Sequence, residues 1–281
     1  MLFRKMHRRI YMSDRCVSFY MLTIFRYSTN MKNILLIQSR ATSEGAREEQ
    51  ERYRRAIGDA ASLALTSTLD IEQSWDTPSK IVEGYDGIVL GGSSDFFIHG
   101  GKGEEEAERA GAREIMDRMR LLVEYLVERQ VPTLGVCFGH QLIAEVFGGT
   151  VTHDHSQKKG GTHEVRLTET GKDDPLFAGF PAVFPAQYGH RDSVTRPPLG
   201  AVVLAEGDSC RFAALRYGSE VYTLQFHPEL FPDDLLSHPE ILALYLPEGA
   251  DPAAAVRETS DAARLIARFV ERIAGAVNPS A

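Results

Sequence analysis

The sequence predicts an α/β protein: a mostly parallel sheet with an antiparallel edge, covered by helices on both faces. Three observations predict it. Up to about residue 150, short apolar runs alternate with helix-length amphipathic stretches. After residue 150 the runs become short strands divided by Gly, Pro and Asp. The composition, 43% apolar and 25% charged over 281 residues, is that of a globular chain with enough apolar surface to offset the entropy of ordering.

Each element follows from its residues. Residues 33–38 form an apolar run fit for a buried first strand, and 47–57 a polar helix. Gly87-Ile88-Val89-Leu90 reads as a strand running into a Gly91-Gly92 turn. The clearest helix is 114–129, where Ile115, Met119, Leu122, Val123, Leu126 and Val127 share one face. A buried strand at 131–136 leads into a helix at 139–147, closed by Gly148-Gly149. Strands follow at 165–167, 201–205, 212–215 and 221–226. A last helix at 262–274 turns Leu265, Ile266, Phe269, Val270 and Ile273 inward. The glycine- and glutamate-rich segment 100–113 reads as a mobile surface loop, and Trp75 as a residue packed on the domain edge.

Charge and cysteine content exclude several classes. Residues 1–30 carry six basic residues against Asp14 alone, whereas the remainder has 25 basic and 38 acidic residues and a net charge of −13. So acidic a body offers no broad basic field for nucleic acid. Five of the seven methionines lie in the first 31 positions, and Met31 opens directly into the first strand. Residues 1–30 are therefore read as a disordered N-terminal extension or an over-called start, with the folded domain at 31–281. No apolar run is long enough to span a bilayer. Cys16, Cys137 and Cys210 are too few for a disulfide framework or a structural zinc site, and Cys210 is expected to be half-buried. His153-Asp154-His155, with His163 nearby, reads as a polar loop, so no metal and no cofactor are expected.

The most informative string is Gly135-Val136-Cys137-Phe138-Gly139, placed between a buried strand and a helix. This is a nucleophile elbow with Cys in place of Ser. The helix beyond it aims backbone N–H groups at the sulfur and favours the thiolate. Phe138 N–H is placed to hold a developing oxyanion. A cysteine nucleophile needs a base, and the base an orienting group. Two His-Pro-Glu strings are available. His227-Pro228-Glu229 ends an apolar strand, so His227 and Glu229, two apart, point to one side at the edge where α/β sheets place their sites. His238-Pro239-Glu240 is explained as a helix start, with Ser237 and Glu240 forming a capping box. The candidate triad is Cys137, His227 and Glu229.

These residues resemble the class I glutamine amidotransferases, the Cys-His-Glu triad type, and among them stand-alone relatives of the GMP synthase glutaminase domain. The resemblance rests on Tyr85–Gly92, the 135–141 elbow, Phe147–Val151, His190–Val194 and Gln225–Glu229, in family order over roughly residues 31–245. It implies a flavodoxin-like fold and hydrolysis of the glutamine side-chain amide through a cysteine thioester, with ammonia released to a separate synthase subunit. It further implies an oxyanion hole from Gly92 and Phe138, and substrate contacts from Gln141 and from Tyr188, Gly189 and His190, the last three largely through backbone. Ser93-Ser94 stands where the family has proline, and Arg191 where it has glycine. Two alternatives stay open: a self-sufficient γ-glutamyl hydrolase or peptidase with the same triad, and a non-catalytic binding relative. A catalytic thiol suits a reducing cytoplasm; neither nucleic acid nor membrane is an expected partner.

Overall fold

The computed structural model describes residues 31–98, 106–208 and 210–275. The anticipated extension at 1–30 lies outside them.

Strand β1 (Lys32–Gln38) leads into helix α1 (Ser43–Ile57), whose N-cap Thr42 accepts the Gly45 N–H at 3.1 Å. The helix therefore starts four residues earlier than the polar run suggested. Strand β2 (Ala61–Ser67), short helix α2 (Pro78–Val82) and strand β3 (Gly87–Leu90) follow. Helix α3 spans Glu106–Glu128. This corrects the expected loop at 100–113: from Glu106 onward the segment is helical. Gly111 is accommodated because the Phe96 ring takes the space a Cβ would occupy, 2.6 Å away. Next come β4 (Thr133–Val136), α4 (Phe138–Val146), β5 (Thr150–His153), β6 (Lys159–Leu167), the single-turn helix α5 (Glu169–Lys172), β7 (Val183–His190) and β8 (Asp192–Arg196). The chain continues through β9 (Val202–Gly207), β10 (Ala214–Tyr217) and β11 (Val221–Leu224), then α6 (Pro232–Leu236), α7 (Pro239–Ala243) and α8 (Ser260–Gly275).

The main sheet runs β2-β1-β3-β4-β11-β10-β9-β6-β7. The first five strands pair in parallel and the last four antiparallel. Strands β5 and β8 form a separate antiparallel pair. The β2-β1-β3-β4-β11 order is the doubly wound, flavodoxin-like arrangement. Both faces are buried, which is why β1 reads as an unbroken apolar run rather than an alternation. Ile34 and Leu36 join one core with Tyr53, Ile57, Phe269 and Ile273, from α1 and α8. Leu35 and Ile37 join the other with Met119, Leu122 and Phe138, from α3 and α4. Trp75 is buried in this second core rather than resting on the domain edge. Among the described residues no helix is long and apolar enough to cross a membrane.

Candidate active site

Every candidate catalytic group sits where a parallel strand ends. Strand β3 delivers Gly91-Gly92, β4 delivers Cys137, and β11 leads through Gln225-Phe226 to His227. This is the carboxyl edge at which open α/β sheets bind their ligands.

Cys137 has φ +50° and ψ −98°, a conformation L residues rarely adopt. The flanking glycines make that turn possible. A Cβ on Gly139 would lie 2.3 Å from the Leu90 carbonyl oxygen, and one on Gly135 would lie 3.0 Å from the Gly139 backbone. Helix α4 opens at Phe138, whose N–H has no intrahelical acceptor and faces the turn with the positive end of the helix dipole. Cys137 is buried and free of disulfide.

His227 lies beside it. Its Nδ1 is 2.7 Å from Glu229 Oε1, and both side chains are buried. Since Glu229 accepts, Nδ1 donates, and Nε2 is left to serve Cys137. Burial works against a charged imidazole, but Glu229 and Cys137 together outweigh it and push His227 up to about 10. Gly92 closes the constellation: a Cβ there would fall 3.1 Å from His227 Cε1 and 3.5 Å from Cys137 Cβ. A side chain at this position would crowd both groups.

Two openings flank this centre. A tight cleft of about 10 Å³ touches Cys137, Phe138, Gln141, Gly189 and His190. A cavity of about 460 Å³ opens on the His227 side, past Ser93, Ser94, Arg40 and Tyr245. Gln141 is held by its amide, which donates to the Asp192 carbonyl at 2.8 Å and to Gln225 Oε1 at 3.2 Å. His190 is buried and held neutral, down to about 3, chiefly by that burial; its Nδ1 meets the Asp192 carbonyl at 3.0 Å. The Tyr188 side chain turns into the core against Phe226, so only its backbone is at the cleft's edge. Ser93, standing in place of proline, donates to the Ser39 carbonyl at 2.8 Å and accepts the Asp95 and Phe96 N–H groups, which shapes the loop after the glycine turn.

A family model described as glutamine amidotransferase class-I matches residues 64–239, well over half of the chain, a span that includes the elbow, His227 and Glu229. The chain belongs to the class I glutamine amidotransferases. Over 156 residues it is 35% identical to the glutamine-hydrolysing GMP synthase subunit of Archaeoglobus fulgidus, covering 55% of this chain and 72% of that one. Over 116 residues it is 39% identical to the corresponding subunit of Methanosarcina barkeri, covering 41% and 59%. A glutamine amidotransferase structure from Thermotoga maritima superposes with a TM-score of 0.63 at 20% identity, covering 87% of this chain and 99% of that one, a likeness of fold.

Within this amidotransferase fold, several details differ from the sequence reading. Ser237 does not form a capping box with Glu240; it ends α6, its hydroxyl donating to the Asp233 carbonyl, while His238 is the N-cap of α7 without a side-chain cap bond. Pro232 starts a helix of its own just upstream, so Ser237 is already engaged. Cys210 is fully buried, and burial pushes its thiol up to about 12. The Arg191 guanidinium lies over the Tyr245 ring, 5.9 Å from its centre. His153 reaches Asp192 at 3.3 Å and stacks edge-on against His155. The sequence reading missed Arg40 and Glu49, an ion pair at 2.8 Å against the Gly91-Gly92 turn. A signal was present: Glu49, Tyr53 and Ile57 recur every four residues, the spacing of one buried helical stripe.

Proposed function

We propose that this chain hydrolyses the side-chain amide of glutamine through a Cys137 thioester and delivers the ammonia to a separate acceptor enzyme, with residues 31–281 as the catalytic unit. The observation that carries this reading is the convergence of Cys137, the His227–Glu229 pair and Gly92 on one point at the strand ends. The Cys137 thiolate attacks the amide carbon. The oxygen becomes an oxyanion held by the N–H groups of Phe138 and Gly92. The C–N bond then breaks as His227 gives its proton to the departing nitrogen, leaving ammonia and the γ-glutamyl thioester. His227, now neutral, takes a proton from water; the resulting attack releases glutamate and restores the thiolate. Glu229 holds the imidazole in the required tautomer. Gln141, Gly189 and His190 border the narrow cleft at Cys137, which must widen to admit the acyl part of the substrate. Protein side chains and water suffice for these steps. Two relatives named as glutamine-hydrolysing GMP synthase subunits support a separate synthase as partner. A thiol nucleophile suits a reducing compartment such as the cytoplasm.

One observation favours a second reading. Ammonia needs little space, yet the cavity beside His227 and Glu229 measures about 460 Å³. A γ-glutamyl amide with a larger amine would place that amine there. Product analysis of the purified chain with glutamine and a panel of γ-glutamyl amides tests both. Ammonia and glutamate from glutamine support the first reading. A kcat/KM at least tenfold higher for a γ-glutamyl dipeptide would replace it with the second. No turnover of any member would overturn both.

A further inference from the structure

Glu49 is fully buried, yet it belongs to a helix whose other carboxylates reach solvent. Its Oε2 accepts from Gln38 Nε2 at 3.0 Å and its Oε1 from Arg40 Nη2 at 2.8 Å. Both oxygens fill the space beside Gly91 where a side chain would begin: a Cβ there would lie 2.8 Å from Oε1 and 3.3 Å from Oε2. Arg40 continues the chain of contacts. Its Nη1 donates to Ser94 Oγ at 3.2 Å, and its Nη2 lies 3.8 Å from where a Gly92 Cβ would stand. Glu49 and Arg40 therefore sit against the Gly91–Ser94 turn, with Gln38 behind Glu49.

Burying two charges costs desolvation, which only good geometry recovers. The pair is neutral as a unit, so it offers little net charge to a substrate; what it supplies is a fixed shape. Glu49 does not line the cavity, which further separates it from substrate contact. The turn it lies against holds the peptide units either side of Gly92. An oxyanion donor is effective only when aimed within a few tenths of an ångström.

We propose that Arg40 and Glu49 are positioning residues for the oxyanion hole, clamping the Gly91–Ser94 turn so that the Gly92 N–H faces the oxygen of the reacting amide. This rests on the reading of Gly92 as an oxyanion donor. Full-chain Glu49→Gln and Arg40→Lys variants test it through three readouts. The first is kcat and KM for the best γ-glutamyl substrate. The second is alkylation of Cys137 by iodoacetamide, which attacks a saturated carbon and forms no oxyanion. The third is affinity for a glutamate γ-aldehyde, whose thiohemiacetal oxygen occupies the hole. Glu49→Gln is expected to lower kcat roughly 30- to 100-fold, the scale of a displaced oxyanion donor. Its aldehyde affinity should fall in step, with KM and alkylation rate within about twofold of wild type. Arg40→Lys keeps the charge opposite Glu49 but loses the fork to Ser94; it should lose about tenfold in kcat with the same pattern. If Glu49→Gln fails to fold, Arg40→Lys decides. A rise in KM at unchanged kcat would make Arg40 a substrate contact instead. A parallel loss of alkylation would mean that the pair acts on the thiolate. Wild-type behaviour in both variants would overturn the proposal while leaving the triad intact. A wild-type Cys137 that neither alkylates nor acylates would sink the underlying reading as well.

Discussion

The tripeptide His-Pro-Glu occurs twice in this chain, eleven positions apart, with opposite outcomes. At 227–229 it follows β11, the strand paired with β4, and its histidine arrives buried beside Cys137 with Glu229 2.7 Å from Nδ1. At 238–240 it starts the short helix α7. There the histidine is one-third exposed, its own glutamate is 3.6 Å away, and Glu48 of α1 is nearer at 3.2 Å. Identical residues thus gave a buried hydrogen-bonded pair in one place and partly exposed contacts with acidic side chains in the other. The element that delivers the tripeptide decided it. A strand end fixes two alternate side chains on one side of the sheet, whereas a helix start with Pro at its first position turns them apart.

Removing each histidine in turn puts the two tripeptides to the hardest trial. His227→Ala is expected to lower kcat on the order of 10⁵-fold, nearly as much as Cys137→Ala, because members of a triad fail together. Steady-state glutamine or γ-glutamyl amide hydrolysis checks it. If His238→Ala were the dead variant and His227→Ala active, the strand-end argument would be wrong. Glu229→Gln should cost less, about 10³- to 10⁴-fold, since it leaves the base in place with its tautomer and charge poorly supported.

The pH dependence of stability offers a further test at His227. The folded-state pKa of His227 is raised to about 10, above its unfolded value of about 6.5. The stability gained from its protonation is therefore fully present below about pH 6.5 and is lost as pH rises to about 10. The Tm gap between wild type and His227→Gln should narrow across that window; a gap that widens would contradict the raised His227 imidazole. Gly139→Ala tests the elbow beneath it. With a Cβ placed 2.3 Å from the Leu90 carbonyl oxygen, the variant should lose about 3 kcal/mol in a denaturant melt. The smallest effect is expected at the second tripeptide: His238→Ala should keep kcat within about threefold, because it removes only a partly exposed contact with Glu48.

The sequence made the parallel half of the molecule readable and the edges less so. Strands β1, β3, β4 and β11 are buried on both faces, so their apolar runs stood out, and the glycines of the elbow announced a turn that a Cβ would block. Strand β2 escaped notice because it is an edge strand whose Ser-Leu-Ala-Leu-Thr is half exposed. Strand β7, at the opposite edge, carries Pro185 and Gly189, residues that an edge tolerates and that read as breaks. The start of α3 looked like a loop because its first turns are charged and include Gly111, which a ring from another segment fills. In the site, the grouping of Cys137, His227 and Glu229 as candidates came from local spacing. Arg40 and Glu49 were not legible, since a glutamate inside a polar helix resembles a solvated charge until the face it shares with Tyr53 and Ile57 is considered.

Whether Cys137 carries the acyl intermediate can be decided by intact-mass analysis with peptide mapping. The chain is mixed with saturating γ-glutamyl substrate and quenched in acid within a turnover. One γ-glutamyl adduct is expected, mapped to Cys137 and absent from Cys137→Ala. An adduct on Cys16 or Cys210, or substrate turnover that persists in Cys137→Ala, would refute Cys137 as the nucleophile.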